Sequence, residues 1–226
     1  MAMRVLSRRA LVGGIGLIGV AAPAILRAQT VPGLTPTAAQ TEGPFYPRDD
    51  MPSDQDADLV RVIGVDAQAQ GQVSHVTGSV RNIAGDPLAG ALIEIWQCDN
   101  GGRYLHHADP NVDRPRDSGF QGYGRAVTDA QGGFRFRTIR PVAYAAVIGG
   151  RPVWRAPHIH VALSTDGVRR LTSQLYVEGD THNASDFLLS ALSSDAERAG
   201  IVRPYLPADD IEAGALRAHY DLVVAA

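Results

Sequence analysis

The chain has 226 residues, a formal net charge of −3, 24 glycines, 14 prolines and one cysteine. That length suits one medium domain with a sizeable core, and mixed charges near neutrality give no electrostatic footprint for nucleic acid. Cys98, being alone, excludes an intrachain disulfide and any cysteine-based zinc or iron–sulfur site, and reads as a small buried residue in an apolar strand.

Arg4, Arg8 and Arg9 precede a glycine-rich apolar run from Ala10 to Ile25. The run is short for a spanning helix, which needs about 20 apolar residues. Ser7-Arg8-Arg9-Ala10-Leu11-Val12 resembles the twin-arginine export signal of bacteria. Residues 1–28 are therefore expected to be a leader cut after Ala28, with Ala24 as a competing site and an uncleaved anchor as the alternative. The implied location is periplasmic or extracellular, without stable membrane association once the leader is gone. Residues 29–58 show no sustained period and read as an extended segment lying over the domain. Within it, Phe45-Tyr46 between Pro44 and Pro47 cannot be helical and would gain most by docking on a body.

The regular domain is expected over 59–226. Residues 59–63 and 74–83 have strand composition, 85–90 read as a turn, and 91–96 as an apolar strand. Asp99-Asn100-Gly101-Gly102 is strong turn chemistry. A polar loop over 103–122 follows, long enough in a compact domain to suggest function. Residues 124–128 and 134–139 are predicted to form a hairpin around Asp129-Ala130-Gln131-Gly132-Gly133. Segment 140–144 leads to a loop at 148–152, then to strands at 158–163 and 170–177. A short helix over 186–192 and a last strand over 220–224 complete the reading. Short strands punctuated by turns predict an all-β fold, a β-sandwich of mixed sheets with long loops.

Trp154-Arg155-Ala156-Pro157-His158-Ile159-His160 is the segment that carries chemistry. On a strand, His158 and His160 point to one face and Ile159 to the other, so the pair is either half a metal site or two surface histidines on an edge. No carboxylate stands at the spacing of a two-histidine, one-carboxylate ferrous site. Tyr104 and Tyr144 sit at strand–loop junctions, where a sandwich gathers ligands at one end. Tyr123, Tyr176, Tyr205 and Tyr220 read instead as half-buried aromatics with hydrogen-bonded hydroxyls.

Five segments, in order, resemble the intradiol ring-cleavage dioxygenases of the protocatechuate 3,4-dioxygenase type. They are Thr41-Glu42-Gly43-Pro44-Phe45-Tyr46-Pro47, Glu94-Ile95-Trp96-Gln97 leading to Gly102-Arg103-Tyr104, Phe120-Gln121-Gly122-Tyr123-Gly124-Arg125, Arg140-Pro141-Val142-Ala143-Tyr144, and the histidine segment. The resemblance implies one non-haem ferric ion, Fe(3+), held by Tyr144 and His158 as axial and Tyr104 and His160 as equatorial ligands. It implies Arg155 and Gln174 beside the substrate, and Gly43, Pro44 and Tyr46 along the substrate wall. The implied reaction uses O2 to cleave a catechol between its hydroxyl-bearing carbons, giving a cis,cis-muconate, with Tyr144 leaving as catechol binds. Hard ferric iron prefers anionic oxygen donors, and its charge would deprotonate phenols of ordinary pKa about 10. Two departures stand out: the amino-terminal helical domain of catechol 1,2-dioxygenases is missing, and one polypeptide replaces two related subunits. A homo-oligomer remains open. The rival reading follows from Gly85-Asp86-Pro87-Leu88-Ala89-Gly90 and Thr128-Asp129-Ala130-Gln131-Gly132-Gly133, which also resemble transthyretin-like sandwiches. On that reading the chain would be an exported binding module without catalysis.

Overall fold

A computed structural model of the protein describes residues 33–225, so the expected leader, 1–28, lies outside the described residues. The described strands are β1 (Val73–Asn82), β2 (Leu92–Trp96), β3 (Tyr123–Val127), β4 (Gly133–Ile139), β5 (Tyr144–Ile148) and β6 (Arg151–Arg155). They continue as β7 (His158–Thr165), β8 (Val168–Val177), β9 (Val202–Arg203), β10 (Leu206–Pro207), β11 (Leu216–His219) and β12 (Leu222–Val224). Helices α1 (Phe187–Ser190) and α2 (Asp195–Ile201) fall between β8 and β9 in the sequence.

The first sheet is organised by β1, whose alternate residues Ser74, Val76, Gly78 and Val80 are buried. It pairs antiparallel with β4 and parallel with β11 and β12, which lie end to end along its other edge. Gly78 cannot carry a side chain, because a Cβ would stand 2.0 Å from the Tyr220 carbonyl oxygen. The second sheet has the order β3-β2-β7-β8-β9 and is likewise mixed, β8 and β9 being parallel. Val76, Val80, Phe134 and Phe136 of the first sheet join Ile93, Ile95, Ile159, Val161, Leu163 and Leu175 of the second in one apolar core. The predicted sandwich of mixed sheets is the observed architecture.

β7 has its first six residues buried, on both faces. Ile159, Val161 and Leu163 point into the inter-sheet core. Ala162 belongs to a second cluster with Phe45, Trp96, Tyr104 and Tyr144, outside the second sheet. That outer face is covered by loop 99–122, the β5–β6 hairpin and the segment 41–46, and there the histidines reside.

Segment 33–43 carries no regular secondary structure and is tied down over residues 34–40. Leu34 N–H donates to Ile83 O at 2.9 Å, Thr37 N–H to Val223 O at 2.9 Å, and Gln40 N–H to Thr172 O at 2.9 Å. The Ala38 carbonyl accepts from Ser173 Oγ at 2.6 Å. The strap thus touches strands of both sheets before reaching Gly43.

Three expectations are corrected. Residues 59–63 form turns rather than a strand: Leu59 and Val60 are both buried, so core burial rather than sheet alternation explains their apolar character. Residues 124–139 contain the expected turn, with Asp129 Oδ1 accepting from Gln131 N–H at 2.9 Å and Gly133 N–H at 2.7 Å. Yet its flanking strands do not pair; β3 bonds to β2 and β4 to β1, so the turn carries the chain from one sheet to the other. The stretch 148–152 is not an open loop but the end of the β5–β6 hairpin, Ile148 pairing with Arg151, with Gly149 (φ 58°) and Gly150 (φ 77°) at its tip. Strand β11 and helix α2 were not anticipated.

Candidate metal centre

Tyr104, Tyr144, His158 and His160 converge under the outer cover of the second sheet, each at most 3% exposed. The histidines come from adjacent same-face positions of β7, and their Nε2 atoms lie 3.2 Å apart. Tyr104 and Tyr144 meet edge to face, with ring centroids 5.1 Å apart. His160 lies 6.0 Å from the Tyr104 ring, and His158 5.5 Å from the Tyr144 ring. The site therefore draws two residues from a rigid strand, one from the first position of β5 and one from the long loop.

Each side chain is placed by an identifiable cause. Asp99 Oδ1 accepts from Gly101 N–H at 2.8 Å and Arg103 N–H at 3.0 Å, which closes the turn before Tyr104. The buried Asp109 carboxylate then accepts the Tyr104 backbone N–H. His158 Nδ1–H donates to the Ala156 carbonyl at 2.6 Å, a bond that leaves Nε2 with its lone pair. His160 is held by stacking: the Trp96 indole lies 4.8 Å away at 10°. Gly43, at φ 73°, closes over the same ring, since a Cβ there would stand 3.4 Å from His160 Cε1.

Burial dominates the protonation states. It pushes the Tyr144 phenol up to about 12, with the Arg155 charge pulling the other way. Tyr104 is raised well above the ordinary phenol value, first by burial and next by Tyr144. His158 is held down at about 3 by burial and then by the Arg155 charge, and His160 is depressed by burial and by His158. Both imidazoles are neutral at ordinary pH and so available as donors.

The residues fit a hard, highly charged cation. Tyr104 Oη is buried without a hydrogen-bond partner, a deficit worth about 1–3 kcal/mol that coordination would remove. Two imidazole nitrogens 3.2 Å apart also have the spacing of neighbouring donors on one ion. Two phenols that become anionic and two neutral imidazoles are a donor set suited to ferric iron. A second constellation, Asp50, His106 and His107, has ligand atoms within 4.8 Å of one another, but His107 is exposed and its Nδ1 is bonded to Asp50 Oδ2 at 2.8 Å. It serves as a surface clamp of the loop.

Beside the four residues is a cavity of about 370 Å³, lined by Gly43, Pro44, Phe45, Tyr144, Arg155 and Phe187 among others. A cavity of about 380 Å³ beneath loop 99–122 contains neither a tyrosine nor a histidine. Arg155 lines the first cavity and is 5% exposed. Its Nε donates to Asp186 Oδ2 at 2.8 Å and its Nη2 to Gln174 Oε1 at 2.6 Å, while Nη1 makes no hydrogen bond among the described residues. Gln174 is fully engaged, since Oε1 also accepts from Tyr176 Oη at 3.0 Å and Nε2 donates to the Thr41 carbonyl at 3.2 Å. It holds Arg155 and does not line the cavity. Gly43 and Pro44 line it; Tyr46 does not, because its hydroxyl donates to buried Glu94 at 2.6 Å and its ring packs on Trp96.

Of the tyrosines read as structural, Tyr123 donates to Glu94 and Tyr220 to the Tyr176 carbonyl, whereas Tyr205 Oη is buried without a partner. Cys98 is buried and free. Sequence reasoning missed Asp186, Trp96 as the stacking partner, and Phe187. Asp186 carried one usable signal, an N-cap position opening a short helix.

Comparison with known proteins identifies the family. A family model described as "Dioxygenase" matches residues 41–226. The chain is 35% identical over 183 residues to the protocatechuate 3,4-dioxygenase beta chain of Burkholderia cepacia, covering 80% of this chain and 76% of that one. It is 37% identical over 131 residues to chlorocatechol 1,2-dioxygenase of Rhodococcus opacus, where it spans 49% of the relative's length. Among solved structures it is similar to the dioxygenase domain of a dioxygenase carbohydrate-binding protein fusion from Streptomyces sp. SirexAA-E, with TM-score 0.59 and 28% identity, covering 84% of this chain and 99% of that one. Catechol 1,2-dioxygenase from Acinetobacter sp. ADP1 gives TM-score 0.62 at 25% identity, covering 84% of this chain and 62% of that one. These relatives are dioxygenases and lend no support to a non-catalytic transthyretin-like module. The chain belongs to the intradiol dioxygenase family.

Proposed function

We propose that Tyr104, Tyr144, His158 and His160 hold one ferric ion, at which a catechol is cleaved with O2 between its hydroxyl-bearing carbons to give a cis,cis-muconate. The convergence of the four side chains on one buried point, with Tyr104 Oη unpartnered, is the observation that carries this reading. When bound, ferric iron would supply a hard Lewis acid able to ionise Tyr104 and Tyr144 and to polarise the substrate's oxygens. The protein's part is positioning and proton handling. His158 and His160 stay neutral and fixed, one by its bond to Ala156 and the other by Trp96. Tyr144 is the phenol that both lines the cavity and feels the Arg155 charge, so its Oη is the base that takes a catechol proton and gives way to substrate. Arg155, steadied by Asp186 and Gln174, presents Nη1 to charge developing on the ring.

Export by the twin-arginine route, with cleavage after Ala28, belongs to the same proposal and is supported by Arg8-Arg9 and the short apolar run. An exported enzyme would meet catechols released from degraded plant polymers outside the cell.

The test is iron-loaded protein assayed for O2-dependent cleavage of catechol and for strong visible absorption from tyrosinate-to-iron charge transfer. Tyr144→Phe and His160→Ala should each lose most of the band and lower kcat at least about a hundredfold, on the order of the 2.7–4 kcal/mol carried by one preorganised catalytic group. A His160→Ala protein that kept both colour and turnover would sink the assignment.

A further inference from the structure

The cavity beside Tyr144 has a lining whose chemistry selects among catechols. Arg155 is the only charged side chain lining it among the described residues, and its guanidinium is already paired with Asp186. The remaining wall is Pro44, Phe45, Ala108, Pro110, Ala146, Val147, Ile148, Phe187 and Leu188, with small or uncharged Thr41, Gly43 and Tyr144. Three of these keep large apolar surfaces in contact with water: Val147 at 55%, Ile148 at 45% and Phe187 at 44% exposure. Val147 and Ile148 end β5 at the hairpin tip, and the Phe187 ring lies 5.0 Å from the Arg155 guanidinium carbon. An apolar strip therefore leads from the buried arginine to the rim, and exposed strips of this kind mark binding surfaces.

Size points the same way. Catechol has eight non-hydrogen atoms; at no more than the ~30 Å³ that a water molecule occupies in the liquid, it needs less than ~240 Å³. The cavity offers about 370 Å³, so room remains beside a bare ring. A carboxylate in that room would be desolvated, and the one guanidinium that could meet it, through Arg155 Nη1, already has its charge balanced by Asp186. Arg151, cross-strand from Ile148, is the nearest alternative cation on this hairpin, but it is exposed and does not line the cavity.

We infer that the preferred substrates are catechols carrying an uncharged apolar substituent of several carbons, which runs from Arg155 past Phe187 to Val147 and Ile148, and that a ring carboxylate is disfavoured. The inference rests on the catechol reading above and assigns the substrate class of that site.

Calorimetric binding without oxygen, on the iron-loaded protein, separates it from that reading. The probes are catechol, 4-butylcatechol and protocatechuate. Each buried methylene should tighten binding roughly three- to fourfold, so 4-butylcatechol should bind at least about tenfold more tightly than catechol, with protocatechuate weaker than catechol. Val147→Lys/Ile148→Lys should reduce the butyl advantage at least about fivefold and strengthen protocatechuate binding; Arg151→Gln should leave the order of the three ligands unchanged. Protocatechuate binding as tightly as 4-butylcatechol would overturn the inference, as would a lysine variant that kept the full butyl preference, or loss of protocatechuate binding in Arg151→Gln. If admitting oxygen cleaves none of the three, the ring-opening proposal fails, while the anaerobic order still decides which ligands the cavity takes.

Discussion

Arg155 and Asp186 show how much of this site depends on groups outside the four proposed iron ligands. Both are buried, at 6% and 0% side-chain exposure, and Asp186 also accepts the backbone N–H groups of Ala156, Leu188 and Leu189. Removing one partner of a buried pair leaves the other charged and unsolvated, a cost of about 3–5 kcal/mol. Asp186→Ala should therefore lower the urea midpoint by that equivalent with an unchanged m-value. It should also reduce kcat more than it weakens catechol binding, because the guanidinium loses its aim. Replacing Gly43 by Ala should be milder in stability, about 1–2 kcal/mol for a left-handed residue, but should displace the wall over His160 and raise KM for catechol. The four proposed iron ligands and Arg155 could be named from the sequence because their motifs are local, within segments of eleven residues or fewer. Asp186 could not, since it lies 31 residues from Arg155 and its one local signal, the N-cap position, points to the helix and not to a buried arginine.

At the level of elements, β7 was readable and the β5–β6 hairpin was not. The histidine strand declares itself through uninterrupted apolar residues and two same-face imidazoles. In the hairpin, Gly149, Gly150 and Pro152 look like loop residues, while the pairing of Tyr144 with Arg155 is a register fact that no local pattern encodes. The turn at 129–133 failed in the opposite way: its chemistry was read correctly, but strand partners are chosen by which core each side chain joins. Arg137 of β4 supplies a test at this scale. It binds Glu212 through Nε at 2.8 Å and Nη2 at 2.6 Å, and Asp58 through Nη1 at 3.0 Å, joining β4 to chain segments on either side of it in the sequence. The Arg137 bond holds the Glu212 carboxyl down at about 2, against an ordinary 4.5. Because the folded value is the lower one, this stabilisation is present above about pH 4.5 and is lost as pH falls towards 2. Glu212→Gln should cost about 0.5–1 kcal/mol at pH 6, as befits a partly exposed pair, and nearly nothing at pH 2. Thermal melts of both proteins across that range would check it; a constant gap would contradict the assignment.

For the whole molecule, the strap over 33–46 joins architecture to site. It could be read as an irregular segment, because it lacks period and leads into the Pro44–Pro47 knot, but its bonds to Ile83, to β12 and to β8 could not. Removing residues 1–28 should leave the melting temperature and the iron colour unchanged. Removing 1–45 should abolish both Gly43–Phe45 and the bonds to Val223 and Thr172, lower the melting temperature by several degrees, and bleach the iron band.

The strap's bond to Val223 carries a mechanical consequence. Thr37 N–H and the Val223 carbonyl lock the start of the described chain to its last strand, while β12 is itself parallel to the middle of the first sheet. A pull on the chain ahead of Thr37 would meet this bond and the one at Gln40 before it reached Gly43. The cavity wall stands immediately beyond that lock along the chain, so tension resisted at Thr37 and Gln40 is not passed on to Gly43.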